Sequence, residues 1–155
     1  MSVSVRTRHL ILLACSAVAL AGCETMEEEA TEVVGNNFEA IMLGSNETPT
    51  TGDPDGWGKA RISIDDAANR ICTDLEVRDI ATVTAAHIHR GSVGQVGDPV
   101  VNLDPPDDDD SDDCDTLDDA LIDSIRNNPG AFYVNVHTPD YPNGALRGQI
   151  VDIEE

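Results

Sequence analysis

Residues 132–153 read FYVNVHTPDYPNGALRGQIVDI. Phe132, Val134 and Val136 alternate with Tyr133, Asn135 and His137, the period of two that puts one set on the core face of a strand and the other on its opposite face. Pro142-Asn143-Gly144 is a turn signal, and it precedes a last strand expected over Ala145–Ile153. The same theme continues upstream. Short alternating or β-branched runs, separated by turn clusters about every ten residues, place strands near Phe38–Leu43, Trp57–Ile64, Arg70–Val77, Thr82–His89 and Val100–Leu103. Thr-Gly-Asp-Pro-Asp-Gly over residues 51–56 is an explicit turn between the first two. An all-β sandwich follows.

One segment has helical periodicity. Leu117, Leu121, Ile122 and Ile125 fall on one face, Thr116 with Asp119 forms a capping-box pattern, and Asn127-Asn128-Pro129-Gly130 supplies the stop. This predicts a short helix packed across an opening of the sandwich. With five aromatic residues in the chain, the core is built mainly from Val, Ile, Leu and Ala, which leaves a small domain marginal in stability.

The N-terminus reads as address and tether. Arg6, Arg8 and His9 precede an apolar run from Leu10 to Leu20, too short to span a bilayer and matching the h-region of an export signal. Leu20-Ala21-Gly22-Cys23 resembles the bacterial lipobox, whose cysteine is acylated and becomes the new N-terminus. Residues 1–22 are thus expected to be a lipoprotein signal, Cys23 the lipidation site, 23–36 an acidic tether and 37–155 the folded domain. Several acyl chains on one residue anchor stably, where a single chain does not. The membrane is therefore an expected partner, and the location extracytoplasmic. By analogy with two-membrane bacteria, Glu24 after the cysteine favours the outer membrane or cell surface.

The charge narrows the partners further. Thirty acidic residues face nine basic ones, a formal charge of −21, which becomes −23 once residues 1–22 take away Arg6 and Arg8 and no acid. Nucleic acid is excluded as a partner, because phosphate recognition needs clustered Lys and Arg. An acid load with a single lysine, Lys59, keeps a protein hydrated at high ionic strength, where self-repulsion is screened. A salt-loving source and an ordinary acidic secreted protein both fit.

Of the four cysteines, Cys15 leaves with the signal and Cys23 is lipidated, so Cys72 and Cys114 remain as an even pair in an oxidising compartment. A disulfide between them is expected. It would close a loop of about 43 residues and tie the acidic stretch to the third strand.

Three stretches carry a family likeness: Phe38-Glu39-Ala40 running to Gly44 and then Glu47-x-Pro49; Ala86-His87-Ile88-His89-Arg90-Gly91 followed by Gly94 and Gly97; and Tyr133 to Thr138 continuing into Tyr141 to Gln149. Together they resemble the chordin-type (CHRD) domain over about Phe38 to Ile153. The resemblance implies an extracellular immunoglobulin-like sandwich, with no established activity for many bacterial members. A fainter likeness joins it. His-x-His on a strand, a later strand with one His, and a Gly-containing turn leading to Arg-Gly look like the copper half of copper/zinc superoxide dismutases, a Greek-key sandwich. That likeness implies copper ligands at His87, His89 and His137 and an anion-guiding role for Arg147. No further histidine bridges copper to zinc, and no zinc-ligand cluster has a counterpart, so dismutation is not implied in full.

Without any family, His87 and His89 point to one side of a strand about 7 Å apart, and His137 lies on the face opposite Phe132, Val134 and Val136. All three are expected on the outer face. Imidazole suits copper and zinc, and an acidic domain concentrates cations around itself. The alternative is that these histidines hydrogen-bond to loops and fix strand ends.

The remaining motifs are weaker. Asp104 to Asp119 holds ten aspartates, and Asp108-x-Asp110-x-Asp112 starts like a calcium loop but lacks the glycine and the closing glutamate. It reads as a solvated loop. Gly91 to Gly97 has no lysine or helix to cradle phosphate and reads as a turn-permitting loop. No nucleophile motif is visible, which argues against an enzyme. Two readings stand: a non-catalytic module of the cell envelope binding a protein or glycan, and a copper or zinc protein.

Overall fold

The computed structural model describes residues 36–153. The signal over residues 1–22, the lipidation site Cys23 and the tether up to residue 35 lie outside the described residues. Among the described residues, no helix is long and apolar enough to cross a membrane.

The elements in chain order are β1 (Asn36–Leu43), β2 (Trp57–Asp65), β3 (Arg70–Arg78), β4 (Ala85–Arg90), β5 (Pro99–Leu103), β6 (Asp110–Thr116), α1 (Asp119–Asn127), β7 (Phe132–His137), β8 (Leu146–Gln149) and β9 (Val151–Asp152). The fold is all-β with one short helix, as expected. The strands form one antiparallel sheet in the order β5-β4-β7-β8-β1-β2-β3-β6, with β9 also paired to β1. Its two outermost strands, β5 and β6, are consecutive in sequence and joined by only residues 104–109, so the sheet wraps around and nearly closes.

The wrapped interior is the core. Ala60, Ile62 and Ile64 of β2, Ile71, Leu75 and Val77 of β3, Ile88 of β4 and Phe132, Val134 and Val136 of β7 all turn inward and are buried. Their alternation with Lys59, Arg61 and Arg70 is the period-two pattern that made these strands legible. Ile122 and Ile125 add the apolar face of α1. Arg126 ties the helix to Asp66 in the β2–β3 turn, and Arg90 at the end of β4 donates to Ser124 Oγ at 3.0 Å. The helix thus covers that end of the sheet.

Four expectations need correction. The stretch read as a solvated acidic loop contains β6, paired residue by residue with β3 from Arg70↔Thr116 to Glu76↔Asp110. The Cys72–Cys114 disulfide, with S–S 2.07 Å, lies directly across that pair and holds a strand whose own residues offer no apolar face. The capping box is also absent. Thr116 is still extended against Arg70, so Asp118 takes the N-cap position, without a side-chain bond to the helix. The strand expected from Thr82 starts at Ala85, and the last strand is broken at Ile150, whose fully buried side chain enters the core between β8 and β9.

Candidate metal centre

β4 lies beside β7 in antiparallel register, with His87 opposite Asn135 and Ala85 opposite His137. His87, His89 and His137 therefore converge on one face, as the alternation predicts. One nitrogen from each ring comes within 4.8 Å of the others. An ion bound at about 2.0–2.1 Å holds two nitrogens roughly 3–4 Å apart. His87 Nδ1 and His137 Nε2 already stand at 3.2 Å, so small side-chain adjustments fit the set to one ion.

The second ring nitrogens fix which atoms are free. His89 Nδ1–H donates to the Gly97 carbonyl at 2.9 Å, and His137 Nδ1–H donates to the Pro142 carbonyl at 3.1 Å. Both rings then present Nε2 as a lone pair, the outer-shell arrangement common to metal-ligating histidines. Among the described residues, His89 Nε2 is buried and finds no hydrogen-bond partner. An unsatisfied buried acceptor costs about 1–3 kcal/mol, so its presence at the centre of the cluster asks for a ligand. Burial lowers the pKa of all three histidines from the ordinary value; in His87 the neighbouring His137 and His89 add to this, and in His89 and His137 the carbonyl bonds oppose it. They favour the neutral form that binds metal.

The three histidines are on the outer face, yet that face is covered. Tyr133, Asn135 and Arg147 are at most 4% exposed: the loop over residues 91–98 folds back onto Tyr133 and Arg147, and Glu47 meets Asn135. Tyr133 stacks on His89 with ring centroids 4.9 Å apart, and the Arg147 guanidinium lies 3.5 Å from the Tyr133 ring centre. Arg147 Nη2 donates to the carbonyls of Ser92 and Gln95, at 3.1 and 2.8 Å. These bonds give it a loop-holding role here, whereas resemblance assigned it to guiding anions. Tyr133, Asn135 and Gly97 were missed as site residues; the period-two placement of Tyr133 and Asn135 on the His137 face and the glycines at 91, 94 and 97 were the available signals.

A family profile described as the CHRD domain matches residues 38–150, well over half of the chain. The chain belongs to the CHRD domain family. No curated protein and no solved structure matches it significantly. Membership in the CHRD family supports a binding or structural module, and the cross-strand disulfide suits the oxidising setting of an extracellular domain.

The covering loop of this CHRD domain depends on Gly97. A Cβ there would overlap the Arg90 carbonyl oxygen, backbone against backbone. Gly97→Ala is expected to push the loop off the sheet at a cost of about 1–3 kcal/mol and to free His89 Nδ1. Thermal unfolding together with the His89 ring resonances checks this. An unchanged His89 signal in a folded variant would show that the loop does not hold that ring.

Proposed function

We propose that the chain is a lipid-anchored, extracytoplasmic CHRD module that holds one copper or zinc ion on His87 Nδ1, His89 Nε2 and His137 Nε2. The observation that carries this reading is His89 Nε2, buried and without a partner among the described residues, beside two further imidazole nitrogens. Carboxylate-free imidazole sites suit copper and zinc better than calcium or magnesium. The ion would supply Lewis-acid or redox chemistry, while the chain's part is to hold three neutral rings, two of them pinned through backbone carbonyls, under a glycine-rich loop. The lipobox reading of Cys23 and the acidic tether support anchoring to the outer membrane or cell surface.

The test is copper and zinc titration of the unlipidated mature chain, followed by elemental analysis. One tightly bound equivalent is expected. His87→Ala, His89→Ala and His137→Ala should each weaken binding by more than the 10–100-fold typical of losing an outer-shell partner. Affinity should also fall as the pH drops, since protons compete for the same lone pairs. Failure of the wild type to bind, or indifference to all three substitutions, overturns the metal reading.

A second reading, docking of an envelope protein or glycan, is favoured by Ile41, Leu43 and Val151, which are 36–49% exposed on neighbouring strands β1 and β9. It predicts surface binding that Ile41→Asp removes and the histidine variants leave intact. The charge of −23 after processing further supports a high-salt setting. On that reading the melting temperature rises with NaCl as self-repulsion is screened; a flat response would leave an ordinary acidic secreted protein.

A further inference from the structure

The Glu47-x-Pro49 motif is used by none of the chemistry above, yet Glu47 sits against the same face. Its carboxyl accepts a hydrogen bond from Asn135 Nδ2, and Asn135 is 3% exposed, stands opposite His87 on β4 and opposite Arg147 on β8, and precedes His137 by two residues on one strand face. The Asn135 amide also donates to the Leu146 carbonyl at 3.2 Å, so it joins Glu47 to β7, which carries His137, and to the neighbouring β8.

The carboxyl also braces a loop. Gly144 has φ +139°, and a Cβ there would stand 2.5 Å from the Glu47 carboxyl carbon. The backbone at Gly144, the end of the 138–144 loop, therefore lies directly on Glu47, in a conformation that side chains rarely adopt. That loop is closed by Gly144 N–H to the Tyr141 carbonyl at 3.1 Å and Tyr141 N–H to the Thr138 carbonyl at 3.2 Å. It also supplies the Pro142 carbonyl that accepts from His137 Nδ1–H. Glu47 itself is held from behind, its N–H donating to the Gly44 carbonyl at 3.2 Å. Burial pushes its carboxyl up to about 7, against the pull of the Arg147 charge and of bonds from Thr48 and Asn135.

We propose that Glu47 is a positioning residue for the metal centre: its carboxyl clamps Asn135 and the 138–144 loop, and through Pro142 fixes the His137 ring with Nε2 aimed at the ion. The inference rests on the metal reading of the three histidines. An acceptor side chain at this position is needed because Asn135 lies on β7 and Gly144 in the loop that follows it, and a side chain reaching both sets their separation.

The test compares wild type, Glu47→Ala and Glu47→Gln in the unlipidated mature chain. Copper titration is read beside nitrogen NMR of the His137 ring in metal-free protein. Glu47→Ala is expected to weaken copper binding by about 10–100-fold, the usual cost of an outer-shell partner, and to shift the His137 ring signals before metal is added. Glu47→Gln, which keeps an acceptor of the same length, should recover most of the affinity. Wild-type affinity with unchanged His137 signals in Glu47→Ala overturns the proposal and leaves the metal centre standing. If the wild type binds no copper, the metal reading fails, and the positioning role at a metal centre falls with it whatever the His137 ring does. Should Glu47→Ala not fold, Glu47→Asp, one methylene shorter, takes its place with the same readouts.

Discussion

Removing the Cys72–Cys114 bridge is expected to lower the unfolding free energy by about 4 kcal/mol, the chain-entropy value for a crosslink between residues 42 apart. Small domains are stable by roughly 5–15 kcal/mol in total, so the loss is a large share. The setting of the bridge adds a second dependence. On the outer face of the β3–β6 pair, Asp74 stands opposite Asp112 and Glu76 opposite Asp110, and like charges directly across a ladder are destabilising. Arg61 and Arg78 approach Asp74 and Glu76 at 3.4 and 3.7 Å and offset this only in part, since all four side chains are well exposed. Without the bridge, β6 should separate first and most readily at low ionic strength. Urea unfolding of the Cys72→Ser/Cys114→Ser double variant, at about 0.05 M and about 2 M NaCl, reads both effects, because the screening length falls from above 10 Å to below 3 Å across that range. An unchanged midpoint would mean that β6 holds by its backbone ladder alone.

Phe132→Ala should cost about 3–5 kcal/mol, the range for emptying an aromatic site in a packed core. The side chain is fully buried, and the chain has only two phenylalanines, Phe38 and Phe132, both inside. Aliphatic neighbours such as Val134 and Ile88 are held by paired strands and can close the void only partly. The Arg90 guanidinium lies 4.6 Å from the Phe132 ring centre and reaches on to Ser124 of α1, so the helix end should loosen as well. Equilibrium unfolding measures the first effect and amide exchange in α1 the second. A loss below about 1 kcal/mol would show that the helix end collapses into the gap.

The strands that were legible are those whose residues alternate against a core: Phe38, Ala40 and Met42 on β1, and Ile71, Leu75 and Val77 on β3, mark the inward side without ambiguity. β6 escaped because its inward positions are Ser111, Asp113 and Asp115. A strand at the sheet border, crosslinked to its neighbour, needs no apolar face, and hydrophobic periodicity is then silent. The helix start slipped for a related reason, as strand pairing kept Thr116 extended where local capping chemistry favoured a turn. At the site, His-x-His and the outward direction of His137 follow from the pleat. Their convergence depends on β4 and β7 being neighbours although 41 residues separate Arg90 from Phe132, which no local pattern encodes. The covering of that face was hidden too, since Gly91 to Gly97 advertises a turn and says nothing about where it lands.

The acidic border strand also bears on how copies of the molecule meet. A strand at a sheet border presents unpaired N–H and C=O groups, and an exposed border is where extended chains add and fibres begin. Asp110 and Asp112 stand exposed along β6, so a second copy approaching border to border brings a matching row of carboxylates. At the opposite border β5 opens on Pro99, which has no N–H to offer a new neighbour. Lateral association is opposed by repulsion on one side and by a missing donor on the other. Only the first defence weakens as counter-ions accumulate, so any salt-induced assembly should start at β6.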